Sequence, residues 1–471
     1  MSRILALIFL LIMASSCRFW QKNTSKLNSA SSVDISNPKI SLTKFSYTVD
    51  SKFNEILASR IGCEKTAHLL SYPSNGNLPE AIHATVESEI IYDAIVDNFF
   101  NLNMNRQPCI NIKKNSNEED SGLKAIVDWN DKRDSKRALT IVTYGDLGDF
   151  LNHNNLLDPS IQKWFEYVDQ GFNLDLWQLQ CSNDFTQIER CSGEMLEEIS
   201  RREDMTRTID MRNYLFWGYG RGGNIILDSL RRSDALRKNT VGVITINSPL
   251  VGNIALDRIS PQIESYGKIL AEKLGIAEEH IKKLPPQILL ALSYLNNEET
   301  TLGKFISLLS ESEIEAMNQG ISQLSVSSRL QYLKEVFFAS NFYSNSWKDI
   351  PVYHFASILD IARLSVVEKI GQKDQKVDFV SSSLNFENFI SLLFSRSFID
   401  YPFSNAFVAI QHSVIPRQFI PTGLKTKLVG LFLLDHFASR FSKAVDADSD
   451  SLDVDIVDAI LSYVVEDLES K

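Results

Sequence analysis

The residues that could do chemistry cluster in one turn. "FWGYGRGGN", Phe216 to Asn224, places four glycines between an apolar run and a helix-like segment. Two chemistries use such a turn. Gly218, Gly220 and Gly223 satisfy G-x-G-x-x-G, the spacing with which a backbone cradles dinucleotide phosphates at a helix N-terminus. A sharp strand-to-helix turn can instead thrust a nucleophilic side chain out of the sheet. The residue at the tip here is Gly220, which carries no side chain. The dinucleotide reading conflicts with the chain around it. The next strand-like run, "VGVITINS", ends in Asn247 and Ser248 where an acid should meet a ribose hydroxyl. At least two strand-like runs also precede the turn, whereas the phosphate loop follows the first strand of its unit.

The elements that position this turn are legible as alternating runs. "RALTIVTYGDLGD" (Arg137 to Asp149) is β-branched and ends in a glycine-containing loop. "NLDLWQLQ" (Asn173 to Gln180) alternates apolar and polar residues, and "CSGEMLEEISRR" has helical composition. "NYLFWGYG" is an apolar run stopped by glycines. "NIILDSLRRSDALRK" carries apolar residues at helical spacing, and "VGVITINSPLVGN" (Val241 to Asn253) returns to a buried strand. "IPVYHFASILD" (Ile350 to Asp360) and "KTKLVGLFLLDHF" (Lys425 to Phe437) complete the series. Short apolar strands separated by helices predict an α/β domain with a mostly parallel central sheet and helices on both faces. Between the fourth and fifth of these strands, residues 255–345 are almost wholly helical in character. They predict a helical insertion, read equally as a lid over the sheet's open end or as bulk that enlarges the core.

The order of these motifs resembles the α/β-hydrolase fold, particularly its lipase- and esterase-like members. The resemblance runs from about Leu139 to Phe441. The family's turn is Gly-x-Ser-x-Gly followed by a helix; here it is Gly218-Tyr219-Gly220-Arg221-Gly222-Gly223. Its His-Gly-x-Gly loop has a counterpart in Tyr144-Gly145-Asp146-Leu147-Gly148. "TINSPLVGN" has the form of its Thr-Pro or Ser-Pro turn. "SNAFVAIQHSVIP" puts Asn405-Ala406 where its Asp-Gly stands, and His436 in "LFLLDHFASRF" fits its final histidine.

The resemblance implies a kept frame and lost chemistry. Gly220 adopts a strained turn without a Cβ penalty but offers no hydroxyl for an acyl-enzyme. Asn405 cannot stabilise an imidazolium as a carboxylate does, and that change costs on the order of 10⁴ in turnover at a Ser-His-Asp site. Asp400 and Asp360 are the nearby carboxylates that could replace it. Asp146, in the oxyanion loop with Leu147, would oppose the charge such a loop stabilises. Gly220, Asn405 and His436 are therefore vestigial site positions, and none forms an intact catalytic set. His436 reads either as a surviving base or as a packed, satisfied histidine. Arg221 reads as an anion contact or as a structurally paired or solvated arginine. Tyr219 reads as packing beneath the turn.

The chain start assigns a place to the protein. Met1-Ser2-Arg3 carries one positive charge, and an eleven-residue apolar run, Ile4 to Ala14, leads to Ser15-Ser16-Cys17. This is the layout of a signal peptide, and the run is too short to span a bilayer. "LIMASSC" resembles a bacterial lipobox. The resemblance implies cleavage after residue 16, a lipid anchor at Cys17 and, because Arg18 rather than Asp follows, the outer membrane. Export also argues against a nicotinamide cofactor. Residues 17–40, rich in Ser, Asn and Lys, predict a flexible tether with a reach of about 25–30 Å. Residues 41–471 then form the α/β-hydrolase-like domain.

Composition narrows the partners. Hydrophobic residues make up 44% and charged residues 23% of the chain, ordinary for a globular domain. The net charge of −11 comes with no basic block, which argues against nucleic acid. No CxxC occurs and the histidines are scattered, so no metal is expected. In an oxidising compartment Cys63, Cys109, Cys181 and Cys191 invite pairing. Cys181 and Cys191 bracket a short polar segment and are the favoured pair, leaving Cys63 with Cys109. Two functions follow. One is a non-catalytic envelope lipoprotein that binds an envelope protein or a lipid-like ligand. The other is an active esterase- or lipase-like hydrolase that works without serine, around His436.

Overall fold

The computed structural model describes residues 51–63, 66, 121–144, 173–181, 187–206, 212–253, 312, 315, 319–320, 322–338, 347, 349–357, 408, 412–432 and 450–470. Among the described residues six strands form one sheet: β1 (Ala138–Tyr144), β2 (Leu174–Leu179), β3 (Arg212–Tyr219), β4 (Thr240–Ile246), β5 (Pro351–Ser357) and β6 (Lys425–Phe432). Their order is β2-β1-β3-β4-β5-β6, and every pairing is parallel. The six strand-like runs of the sequence are these six strands. Every residue of β4 and of β5 is buried, as expected of strands covered on both faces. At the edges, β6 exposes Lys425 and Lys427, and β2 keeps Asp175 and Gln178 half-buried.

Alternation along β5 shows which helices lie on which face. Tyr353 and Phe355 point one way and His354 the other. Phe53, from α1 (Ser51–Ile61), meets Phe355 edge-on with ring centroids 5.2 Å apart, and also Phe432 at 5.9 Å. Tyr463, from the C-terminal helix Asp450–Glu469, meets Tyr353 at 6.1 Å. The next described helix, α2 (Gly122–Asp134), packs with that C-terminal helix: Leu123 N donates to Asp458 Oδ1 at 3.4 Å. The opposite face is covered by α3 (Ile188–Thr206) and α4 (Arg221–Arg232), followed by the short α5 (Asp234–Lys238). This is the expected arrangement of a parallel sheet with helices on both faces.

Cys181 and Cys191 form a disulfide, with Cα atoms 5.1 Å apart, as their spacing predicts. It joins the chain just beyond β2 to the first turn of α3. Cys63 is half-buried two residues beyond α1, and its expected partner, Cys109, lies outside the described residues. Of the expected insertion, the described part is mainly α6 (Val326–Tyr332), its π-helical continuation (Leu333–Phe338) and the turn before them. This part is fixed to the core. Asn253 N donates to Leu324 O at 2.9 Å, Asn253 bridges Ser325, and the Ser325 hydroxyl caps α6 by accepting from Ser328 N at 3.1 Å. Numbered in chain order, the C-terminal helix is α7. Among the described residues no helix is long and apolar enough to cross a membrane.

Candidate functional site

The sheet order locates the site before any side chain is considered. The chain leaves β1 toward β2 on one side and returns to β3 on the other. The order therefore reverses between β1 and β3, and open parallel sheets bind ligands in the crevice outside the carboxyl ends at such a point. The carboxyl ends here are Tyr144 and Tyr219, and Gly220 follows directly. The turn singled out in the sequence thus stands at the topological switch point.

Gly220 sits at φ 52°, ψ −126°, as the residue that caps α4 without a side chain. An L-residue with a Cβ is strained there by about 1–3 kcal/mol, and glycine is not. Its N–H donates to Ile246 O at 2.8 Å, which ties the turn to β4. Gly222, two residues on, lies so close to β1 that an added Cβ would overlap the Tyr144 carbonyl oxygen. Across the turn, Gly223 lies against the side chain of Ser248. The backbone is therefore that of a sharp strand-to-helix turn, with its tip held where a nucleophile would be presented. The tip carries none. Ser248, in the turn after β4, is fully buried.

Arg221 opens α4 and is 4% exposed, which removes the reading of a solvated arginine. Its Nη2 lies 3.7 Å from the Cys191 sulfur. Tyr219 is buried, as expected of a residue packed beneath the turn. Asn247 holds the next gap in the sheet. It adopts φ 49°, a conformation Asn tolerates better than most residues. Its N–H donates to Phe355 O at 2.9 Å, and its Oδ1 accepts from the Ser357 hydroxyl at 3.0 Å. Asn247 is thus committed to pairing β4 with β5. Asp146, Leu147, Asn405 and His436 lie outside the described residues, as do Asp360 and Asp400.

Two buried polar groups lie beside the site and went unread in the sequence. His354 pairs with Thr245 across β4 and β5, on the face that α4 covers, and its Nδ1 is 2.7 Å from Thr245 Oγ1. Burial pushes its pKa down to about 3, so it is neutral at physiological pH. The other is a charge cluster centred on Asp228 of α4, itself fully buried. The hydroxyls of Ser192 (α3) and Tyr332 (α6) each donate to it at 2.5 Å. Arg231 and Arg232 pair with it at 2.9 and 2.8 Å. Burial alone would raise the Asp228 pKa, but the two hydroxyls and the two guanidinium groups outweigh it and hold the carboxyl below its ordinary value. Arg329 stacks 4.3 Å from the Tyr332 ring and donates from Nε to Leu250 O at 3.3 Å. The cluster thereby locks three helices behind the turn. Asp228 and the arginines three and four residues on were legible as a helical pattern. Ser192 and Tyr332 were not, because nothing local in the sequence brings them there.

No protein-family model matches the chain, and no curated protein matches it. Among solved structures it is similar to a metagenomic carboxyl esterase, with 13% identity, 71% of this chain and 77% of the other covered, and a TM-score of 0.36. It is similar to a Bacillus licheniformis lipase in its mature form, at 12% identity over 64% of this chain and 86% of the lipase, with a TM-score of 0.31. A thioesterase from the prodiginine biosynthetic pathway of Streptomyces coelicolor matches at 9% identity over 70% and 86%, with a TM-score of 0.29.

Proposed function

We propose that this protein is a non-catalytic, hydrolase-like envelope lipoprotein whose crevice at the β1–β3 switch point binds a lipid-like ligand or an envelope protein. The observation that carries the reading is Gly220: a turn held at φ 52°, ψ −126° with no atom able to attack a carbonyl. The sequence position of the acid, Asn405, adds that a histidine at 436 would lack a charged partner from that turn. The surrounding glycines keep the turn's close contacts although its chemistry is gone. A retained frame with an empty tip favours binding over turnover.

Restoring the missing groups tests this. Gly220→Ser with Asn405→Asp should convert an unlabelled protein into one that reacts covalently with a fluorophosphonate. The double variant should also be less stable by about 1–3 kcal/mol, because serine brings strain to the turn. Labelling or ester hydrolysis by the unmodified protein, lost on His436→Ala, would overturn the reading and establish an active hydrolase; hydrolysis without labelling would make it one that works without serine.

The membrane attachment of the reading rests on "LIMASSC" and the polar tether after it. Lipidated Cys17 would hold the folded domain near the outer membrane. Cys17→Ser should move the protein to the soluble envelope fraction. Retention of that variant on membranes through a carbonate wash would sink the anchor.

A further inference from the structure

We propose that the Cys181–Cys191 disulfide and the Arg221 guanidinium form one brace that fixes the glycine turn, so that the covalent bond shapes the crevice as well as its own loop. The inference concerns the geometry of the turn and stands whether or not the crevice takes a ligand. It begins with placement. Cys191 is fully buried, and its sulfur lies 3.7 Å from Nη2 of Arg221, the residue immediately after Gly220. The other end of the bond, Cys181, lies two residues beyond β2, a strand that pairs only with β1 among the described residues. One covalent link therefore ties the edge of the sheet to the first turn of α3, and that turn abuts the first residue of α4.

Helical geometry extends the grip. Arg221 and Asp228 are seven residues apart, two turns of α4, and so share a face. On α3 the consecutive residues Cys191 and Ser192 meet that face, Cys191 at Arg221 and Ser192 at Asp228 through a 2.5 Å hydrogen bond. The Ser192 carbonyl also accepts from the Ser229 hydroxyl at 3.3 Å. The start of α3 is thus pressed along α4 from Arg221 to Ser229, and the disulfide keeps it from withdrawing. The guanidinium buried against the bridge packs the first residue of α4 onto the start of α3. That residue sets the direction in which the chain exits Gly220.

Hydrogen exchange of the full chain, read by mass spectrometry, tests the brace. Amides in 216–226 should exchange about tenfold faster in Cys181→Ala/Cys191→Ala and in Arg221→Gln, while 351–357 in β5 keeps wild-type protection. Because the two parts act as one device, the triple variant should exchange no faster at the turn than either parent. Acceleration confined to 180–192 in the disulfide variant would overturn the proposal, and so would additive acceleration in the triple variant. If the alanine pair unfolds, as fast exchange throughout 351–357 would report, Arg221→Gln with the disulfide intact decides alone. Unchanged protection of 216–226 in that variant overturns the brace, and loss confined to 216–226 supports it.

Discussion

Gly222→Ala is expected to destabilise the protein by about 3 kcal/mol or more, while the same substitution at Gly193 stabilises it by about 0.5–1 kcal/mol. The two glycines differ only in their surroundings. A Cβ at Gly222 would overlap the Tyr144 carbonyl oxygen, a backbone atom at the end of β1 that no rotamer change can move aside. Either α4 lifts from the sheet or β1 shifts, and both disrupt the switch-point crevice. At Gly193, inside α3, the nearest atom to an added Cβ is Arg232 Nη1 at 3.9 Å, an ordinary contact with a flexible side chain. There alanine only removes the entropy that glycine loses in a helix. Equilibrium urea unfolding of both variants measures the contrast. A midpoint for Gly222→Ala equal to wild type would show that the turn does not lie against β1.

Asp228→Asn is expected to cost about 2–4 kcal/mol, somewhat below the loss seen when one partner of a wholly buried ion pair is removed, because Arg232 retains access to solvent. The substitution keeps the shape and one acceptor for Ser192 or Tyr332 but removes the charge that both arginines face. Its effect should depend on pH with a definite sign. The folded carboxyl titrates below its ordinary value of 3.8, so the unfolded chain takes up the proton first as pH falls. The stabilisation is fully present above the unfolded value and is lost as pH falls through the folded one. The gap between wild type and Asp228→Asn should accordingly stay constant near neutrality and narrow below about pH 3.8. A constant gap down to pH 3 would mean that the charge is not what the cluster needs. Tyr332→Phe, which removes one hydroxyl from an ionised acceptor, should cost about 1.5–3 kcal/mol by the same assay.

Periodicity and punctuation are local, and the local features were legible. The runs at 138–144, 174–179, 212–219, 240–246, 351–357 and 425–432 are apolar and bounded by turn residues, so each reads as a strand alone. Gly220 was legible as a tip without a nucleophile, because strand, glycine and helix succeed one another within a dozen residues. The Cys181–Cys191 bond, separated by ten residues, was legible for the same reason. Arg221 was not. Both a solvated and a buried arginine fit its sequence, and the tertiary fold buries it beside Cys191, thirty residues away in the chain.

The sequence by itself determined the alternation of strands and helices, the missing side chain at Gly220 and the short-range disulfide. Each depends on residues that are neighbours along the chain. Tertiary structure alone decided that β1 and β3 are adjacent with β2 outside them, and so put the glycine turn at the point where the order reverses. It alone gathered Ser192, Asp228 and Tyr332, whose hydroxyls and carboxylate are separated by 36 and 104 residues. Strand-like runs of similar composition carry no mark of which will pair, and a serine or tyrosine carries no mark of the buried charge it will meet. Those choices are made by the packing of whole faces, where a buried carboxylate must be surrounded by donors or remain costly.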